Sequence, residues 1–298
     1  MPELPEVETI RRHLAPHVEG RTLAALEISD ARWSQPLAPA ELAAAVGGRR
    51  IERLERRGKY LVWELEDDVH LMLHLRMTGT LLLDPPGPPP YARVRFALGD
   101  GHELFFDDPR RFGTGELALG GDARDDFFAR RLGVEPLGPD FTSAHLYALT
   151  RASRAPVKAF LLDQRKVAGV GNIYADEALF RARIHPLRPA NRLKRGQVAA
   201  LRDAVVVSLE AGLQAKGASI DDFRHPDGVQ GSFQHRFLIH LREGDPCLVC
   251  DRPVRKLRAA GRGTYVCERC QPRPRSLRPQ AAARNSASRP ARSAAASS

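Results

Sequence analysis

Four cysteines near the carboxyl end restrict the fold of this chain more than any other feature of its sequence. They form two Cys-x2-Cys pairs, with sixteen residues between the pairs, and the chain has no further cysteine: Cys247, Cys250, Cys267 and Cys270. Two such pairs at this spacing are typical of a tetrahedral zinc site with four thiolate ligands. Because thiolates fill every position, we expect one structural Zn²⁺ that has no open position for substrate.

A disulfide-bonded secreted domain is the alternative interpretation of the same cysteines. Against it, the N-terminus is acidic and polar, unlike a signal peptide, and no apolar run is long enough to span a membrane. We therefore expect a cytoplasmic protein whose thiols are reduced and available for metal.

A basic segment, residues 255–265, lies between the two cysteine pairs and contains Gly-Arg-Gly around Arg262. It predicts a hairpin with Arg262 at the tip, where the guanidinium could contact a phosphate with two hydrogen bonds. A solvated turn is the alternative. The metal-bound, positively charged context favours nucleic acid as the partner.

The N-terminus carries the second informative pattern, because Met1 precedes a proline. Removal of the methionine would expose Pro2 as a secondary amine with an ordinary pKa of about 8, which is partly unprotonated at neutral pH. Such an amine can attack an electrophilic carbon, and Glu3 and Glu6 could transfer protons beside it. The alternative is that Pro2 only begins a helix.

The charge of the chain is a modest argument for a polyanionic partner. The 298 residues contain 46 Lys and Arg against 36 Asp and Glu, a net charge of +10. Six of the arginines, however, lie after Cys270 in a segment rich in Pro, Ala and Ser. That segment cannot bury a core, and we expect it to be disordered.

The hydrophobic patterns predict an α+β protein. A helix is expected over residues 5–17, followed by short strands over 59–65, 70–75 and 93–98, with a proline-rich loop over 84–90. Helices are expected afterwards, over residues 125–131, 143–151, 157–162, 173–181 and 194–216. We therefore divide the chain into a β-rich part, a helical part, a zinc hairpin and a basic tail: 1–120, 121–230, 231–271 and 272–298.

Five motifs give the chain a specific resemblance. They are Pro-Glu-Leu-Pro-Glu-Val-Glu-Thr at 2–9, Gly-Lys-Tyr at 58–60, His-Leu-Arg-Met-Thr-Gly at 74–79, Asp-Pro-Arg-Arg-Phe-Gly at 108–113 and Gly-Val-Gly-Asn-Ile-Tyr-Ala at 169–175. In this order the chain resembles a bacterial formamidopyrimidine-DNA glycosylase over roughly residues 1–271. The resemblance implies an N-terminal β-sandwich with flanking helices, a helix–two-turns–helix middle domain and a C-terminal zinc-ribbon hairpin.

The resemblance also implies a chemistry. Pro2 would attack C1′ of a damaged nucleoside and form an iminium link to the opened sugar, while Glu3 would transfer protons at that sugar. Lys59 would assist β-elimination and Arg262 δ-elimination. For Lys59 the alternative is a strand-end lysine that extends to water.

Further residues correspond to the DNA-contacting positions of the family. Met77, Arg110 and Phe112 would fill the gap that the flipped base leaves, whereas Lys158 and Asn172 would hold phosphates beside the lesion. Met77 and Phe112 could instead be core residues, and Asn172 could be an ordinary helix N-cap. The chain also departs from the family at DNA-contact or lesion-loop positions: Tyr91, Ser153, Lys216 and Asp221.

The expected function is that of a bifunctional DNA glycosylase and AP lyase that removes oxidised purines, 8-oxoguanine and formamidopyrimidines, from double-stranded DNA. It would act in base excision repair as a bacterial, nucleoid-associated monomer, without an organic cofactor. Two alternatives stay open. One is the same chemistry on oxidised pyrimidines, as in the related endonuclease VIII branch, and the other is a zinc-ribbon DNA-binding protein without catalysis.

Overall fold

The computed structural model describes residues 1–219, 226 and 230–274. Asp221, one of the departures from the family pattern, lies outside the described residues, and so does most of the basic tail. No described helix combines the length and the apolar character needed to cross a membrane.

The N-terminal part is an antiparallel sheet of eight strands that folds over on itself. Its strands follow helix α1 (Leu4–Val18) and, with helix α2 (Pro39–Val46) inserted, are β1 (Thr22–Ile28), β2 (Arg49–Arg57), β3 (Tyr60–Leu65), β4 (Val69–His74), β5 (Thr80–Leu83), β6 (Ala92–Leu98), β7 (Glu103–Asp107) and β8 (Thr114–Leu119). The spatial order is β5-β7-β6-β1-β2-β3-β4-β8. Only two residue pairs join β1 to β2, and the sheet folds at that junction.

Aromatic side chains fill the space between the two halves of the sheet. Trp63 of β3 stacks on Phe96 of β6 with ring centroids 5.2 Å apart, so strands that are not neighbours face each other. Trp33 packs against Phe106 from β7, and a side chain at Gly115 would collide with the Trp33 ring. The expected β-sandwich is therefore present.

Helix α1 belongs to two cores. The helix begins with a capping box, in which the side chains of Glu3 and Glu6 each accept a hydrogen bond from the other residue's backbone N–H. Val7, Ile10 and Leu14 are buried in the sandwich core, as their helical spacing predicts. Leu4, one turn earlier, packs in the core of the helical part, so α1 joins the two.

Five helices form the middle of the chain: α3 (Gly121–Ala129), α4 (Ser143–Arg151), α5 (Val157–Leu162), α6 (Asn172–Arg181) and α7 (Arg195–Gln214). The bounds predicted for α4 and α5 are confirmed, and those for α6 and α7 differ by two residues or fewer at each end. The helix predicted over residues 125–131 is wrong at both ends: it begins at Gly121, with one residue between it and the end of β8, and finishes at Ala129.

The zinc hairpin consists of β9 (Arg255–Ala259) and β10 (Arg262–Val266). The turn between them is Ala260-Gly261, with φ of 51° and 73°. Two positive φ angles are the mark of a tight two-residue hairpin turn. The expectation that Arg262 forms the tip is therefore wrong: Arg262 opens β10 opposite Ala259 and is held in the ladder.

Candidate active site

All three parts of the chain meet at one pocket of about 180 Å³. Its lining includes the buried N-terminal proline, two carboxylates, an arginine and a histidine: Met1, Pro2, Glu3, Glu6, Met77, Asn172, Ile173, Ala218, His240 and Arg262. Removal of Met1 would leave the Pro2 amine as the chain's first atom within this pocket. The pocket thus combines the N-terminal residues with Arg262, which lies some 260 positions further along the chain.

Glu3 is buried at the N-terminus of α6. Its carboxylate accepts the backbone N–H groups of Ile173 at 3.0 Å and Tyr174 at 3.4 Å, two donors that the first turn of a helix leaves unpaired. A Cβ at Gly171 would lie 2.2 Å from the Glu3 carboxyl carbon, so only glycine permits this approach. The helix therefore fixes the position of Glu3 and stabilises its negative charge.

Glu6 positions the backbone beside Pro2. One carboxylate oxygen accepts the Tyr174 hydroxyl and the Ala218 N–H, each at 2.8 Å, and the other accepts the Glu3 N–H at 2.9 Å. Burial, together with the nearby charge of Glu3, raises the pKa of Glu6. Three donors already occupy this carboxylate, so Glu6 holds the N-terminus in place.

Lys59 lies in the two-residue turn between β2 and β3 and is only 4% exposed. The turn is held by Glu135, which accepts the N–H of Gly58 and pairs with Arg56. The alternative of a lysine that extends to water is therefore wrong. Burial lowers the pKa of Lys59, and the charge of Arg262 lowers it further against the opposing effect of Glu3. A lysine with a lowered pKa gives up its proton more readily and can act as a base.

The four cysteines converge as the sequence predicts. Their sulfur atoms all lie within 4.8 Å of one another, with 3.9 Å between Cys247 and Cys270 and 3.5 Å between Cys250 and Cys267. Zn–S bonds of about 2.3 Å in a tetrahedron require sulfur separations of about 3.8 Å. The four thiolates therefore fit one structural zinc, which would hold the base of the β9–β10 hairpin.

Lys158 and Asn172 both bind the zinc hairpin directly beside Arg262. The Lys158 ammonium and the Asn172 amide donate to the Gly263 carbonyl at 3.3 and 3.2 Å, and Lys158 also donates to the Thr264 hydroxyl at 2.8 Å. Lys158 is fully buried, so its contact with a DNA phosphate stays a prediction. The N-cap alternative for Asn172 is wrong, because Gly171 caps α6 and Asn172 is the first helical residue.

A buried aspartate that the sequence did not single out shapes the loop after β7. Asp108 is fully buried and accepts the N–H groups of Arg110, Phe112 and Gly113 at 3.2, 2.8 and 2.8 Å. It also accepts the Thr78 hydroxyl and so joins this loop to the one that carries Met77. An Asp-Pro pair in a turn is the signal that could have identified it.

The Asp108 loop places two predicted DNA contacts on the surface. The Arg110 guanidinium lies over the Phe112 ring, 4.9 Å from its centroid, and Phe112 is 49% exposed. Phe112 is thus not a core residue. Of the three predicted wedge residues, Met77 lines the pocket, and the Thr78–Asp108 hydrogen bond joins its loop to the one that carries Arg110 and Phe112.

The departures from the family pattern lie in different environments. Tyr91 is exposed beside the same loop, and its carbonyl accepts the Asp108 N–H at 3.0 Å. Ser153 is buried, and its hydroxyl accepts a hydrogen bond from Lys166 at 3.3 Å. Lys216 has a positive φ of 56° at the end of α7. Tyr91 is therefore the departure best placed to contact a ligand.

Comparison with known proteins identifies relatives along the whole described chain. Family models match residues 1–115 as a formamidopyrimidine-DNA glycosylase N-terminal domain, 132–224 as the H2TH domain of that enzyme, and 244–273 as a zinc finger found in FPG and IleRS. A formamidopyrimidine-DNA glycosylase from Thermus thermophilus is 45% identical over 273 residues, which cover 91% of this chain and 98% of that protein.

Solved structures give the same result. The crystal structure of MutM (Fpg) from Thermus thermophilus superimposes with a TM-score of 0.83 at 44% identity, covering 91% of this chain and 98% of the other. Lactococcus lactis Fpg bound to DNA containing an abasic site or an oxidised pyrimidine superimposes with a TM-score of 0.84 at 33% identity, covering 91% and 100% of the two chains.

Proposed function

The chain belongs to the formamidopyrimidine-DNA glycosylase family, and we propose that it is a bifunctional glycosylase and AP lyase that acts on oxidised purines. As a member of this family it is a DNA glycosylase of base excision repair with a structural zinc. The observation that supports this most strongly is the convergence of Pro2, Glu3 and Arg262 on one pocket. A DNA-binding protein without catalysis has no need of a buried secondary amine beside a carboxylate.

Pro2 supplies the nucleophile in this proposal. Its amine attacks C1′ of the damaged nucleoside, the base leaves, and an iminium links the protein to the opened sugar. Glu3, held at the α6 N-terminus, transfers protons at the sugar and promotes ring opening. Glu6 keeps the N-terminal backbone in the position from which the amine can reach C1′.

Lys59 and Arg262 serve the two strand-cleavage steps. The lowered pKa of Lys59, a consequence of burial, allows its amine to take a proton during β-elimination. Arg262 is exposed, and no carboxylate pairs with it in the part of the chain that the structure describes. Its guanidinium is therefore free to bind the phosphate that leaves in δ-elimination.

The damaged duplex is the partner in this proposal, and the protein acts as a monomer. A base in the stack cannot reach Pro2, so the nucleotide is flipped into the pocket while Met77, Arg110 and Phe112 occupy the gap. Lys158 and Asn172 hold the strand beside the lesion, either directly or through the hairpin residue Gly263.

Oxidised pyrimidines are the second candidate substrate, because a Lactococcus lactis relative has been solved with DNA that contains one. Single-turnover excision from 8-oxoguanine opposite cytosine and from a matched dihydrouracil duplex compares the two. Faster release of 8-oxoguanine supports the proposal, whereas faster release of dihydrouracil favours the alternative. Release of neither base, by zinc-loaded protein that binds both duplexes, would contradict glycosylase activity of either kind.

A further inference from the structure

His240 lines the pocket, although no sequence motif points to it. It is 4% exposed, and its ring packs edge-on against Phe237 and Tyr265, with centroids 5.3 and 5.1 Å away. Its backbone N–H donates to Glu177 at 3.1 Å. The imidazole is therefore fixed on several sides while one part of it borders the space where the sugar would lie.

Asp176 determines which nitrogen of the His240 ring is available to accept a proton. The Nδ1 atom of His240 lies 2.9 Å from a carboxylate oxygen of Asp176, which is itself 1% exposed. The other oxygen lies 2.7 Å from the Lys158 ammonium. A carboxylate at Nδ1 keeps the proton on that atom, so the neutral ring presents the lone pair of Nε2. Nε2 has no hydrogen-bond partner among residues 1–219, 226 and 230–274.

The proposed δ-elimination lacks a base unless a further residue supplies one. Arg262 cannot take up a proton, because a guanidinium stays charged in proteins. The nitrogen of Pro2 is bonded to the sugar at this stage. In the proposed sequence of steps Glu3 already serves ring opening and Lys59 has taken up its proton in β-elimination, whereas Glu6 accepts hydrogen bonds from Tyr174, Ala218 and the Glu3 backbone. His240 is the remaining pocket residue with a nitrogen that can accept a proton.

We infer that His240, oriented by Asp176, is the general base of δ-elimination, an assignment that rests on the proposed lyase function. Nε2 takes the proton from C4′ of the iminium-linked sugar, and the C4′–H electron pair forms the C4′=C5′ bond. The C5′–O bond breaks, and its electron pair leaves with the phosphate that Arg262 binds. The proton stays on an imidazolium that Asp176 stabilises, and passes to water when the product leaves.

Charged and aromatic groups surround the imidazole. Asp176 from α6 contacts Nδ1, Lys158 lies on the far side of Asp176, and Tyr265 of β10 contributes an aromatic edge. Arg262 lines the same pocket as His240, so the proposed base and the proposed phosphate ligand border one space.

Single-turnover cleavage of a duplex with a preformed abasic site tests the assignment, because this substrate needs no base removal. A denaturing gel separates the unsaturated-aldehyde end that β-elimination leaves from the 3′-phosphate end that δ-elimination leaves. His240→Asn keeps an N–H that can reach Asp176 but removes Nε2. We expect its δ-rate to fall by roughly a hundredfold.

His235→Asn is the matched control, since His235 is exposed five residues earlier, and it should keep the ratio of δ- to β-product. An unchanged ratio in His240→Asn would overturn the assignment while leaving the lyase function intact. Wild-type protein that cleaves no strand would contradict both. If His240→Asn forms no borohydride adduct, the His240→Gly variant is assayed with and without added imidazole. Restored formation of the 3′-phosphate end with imidazole supports a proton-transfer role for His240, and no restoration overturns it.

Discussion

Glu3 is a catalytic candidate whose position depends on residues far along the chain. The N–H groups that bind its carboxylate belong to Ile173 and Tyr174, and Gly171 leaves the necessary space. The sequence places Glu3 beside Pro2, but only the fold shows that a helix N-terminus stabilises its charge. The role of Glu3 in proton transfer can therefore be tested separately from the hydrogen bonds that hold its side chain in position.

We expect Glu3→Gln to stop base excision while damaged duplex is still bound. The glutamine carbonyl can accept an N–H from α6, so the fold is kept, but the proton-transferring group is lost. Single-turnover excision and equilibrium binding on the same 8-oxoguanine duplex measure the two properties. Excision at the native rate would assign the role to another carboxylate, with Glu6 as the next candidate.

His74 provides a test of stability at acid pH. It is 8% exposed, accepts the Arg76 N–H at 2.9 Å, and burial, with the charges of Arg76 and Lys59, lowers its pKa from 6.5 to about 3. The unfolded chain therefore binds a proton at His74 before the folded chain does. The contribution of neutral His74 to the free energy of unfolding is therefore fully present above pH 6.5 and is lost as pH falls toward 3.

His74→Asn should remove that acid-side loss, because the amide oxygen can still accept the Arg76 N–H but does not titrate. Wild type should lose up to about 1.4 kcal/mol of unfolding free energy per pH unit more than the variant below pH 6.5. Denaturant unfolding at pH 7, 6 and 5 measures the difference. Parallel pH profiles would show that His74 is not the titrating group.

Helix α6 is the element that connects the active-site components. Its first turn binds Glu3, Asp176 pairs with Lys158, and Glu177 accepts three consecutive N–H groups, of Leu238, Ile239 and His240, at 2.9 to 3.1 Å. The chain segment that leads into the zinc finger is thus fastened to the same helix that holds the catalytic carboxylate.

Lys158→Ala tests whether this connection is structural. Both members of the Lys158–Asp176 pair are 1% exposed or less, so removal of the ammonium leaves the buried Asp176 carboxylate without its lysine cation and with His240 as its remaining side-chain partner. We expect the unfolding free energy to fall by about 3 to 5 kcal/mol. Unchanged stability, combined with a salt dependence of DNA binding that is lower by about one unit, would instead identify Lys158 as a phosphate contact alone.

Zinc removal tests the hairpin as an element. The finger has a small core built around its cysteines with Phe180, Ile239 and Tyr265, too little to fold without metal. Cys267→Ser or chelation should therefore abolish DNA binding while the sandwich domain stays folded. Near-UV circular dichroism of the sandwich tryptophans and a binding titration measure the two outcomes. Full activity in zinc-free protein would exclude a structural role for the metal.

Among the structural elements, the sequence predicts best those whose formation depends on neighbouring residues in the chain. Helix α4 was predicted to the residue, because Thr142 caps it and the apolar spacing is regular, and the zinc ligands follow from spacing alone. Strands β1, β2, β5, β7 and β8 were missed. β2, with five arginines among nine residues, is a strand because of its partners β1 and β3 rather than its own composition.

The site was predicted less completely than the fold elements, because long-range contacts define it. Family motifs indicated Pro2, Lys59 and Arg262. Pro2 and Arg262 line one pocket, and the charges of Glu3 and Arg262 affect the pKa of the buried Lys59. The Asp-Pro pair at residues 108 and 109 marks a turn but does not reveal which N–H groups Asp108 accepts, and nothing local to residue 240 reveals that His240 borders the pocket. The tip position expected for Arg262 was wrong because the two positive φ angles fall on Ala260 and Gly261.

At the scale of the whole molecule, three parts that lie far apart along the chain meet around Pro2. The sandwich part contributes Met77, the helical part contributes the N-terminus of α6, and the zinc hairpin contributes Arg262. Helix α1 passes between the first two parts, with Leu4 in one core and Val7 in the other. The N-terminal proline therefore lies where the three parts meet.

The identity of the residue that bonds to DNA tests this account most directly. Wild-type protein is mixed with an 8-oxoguanine duplex and borohydride, the adduct is digested, and the cross-linked peptide is sequenced by mass spectrometry. We expect the adduct on a peptide that begins at Pro2, with Met1 absent, and slower trapping by Pro2→Gly, whose primary amine is a demanding control. An adduct on Lys59 or another lysine, or active protein that retains Met1, would contradict the account.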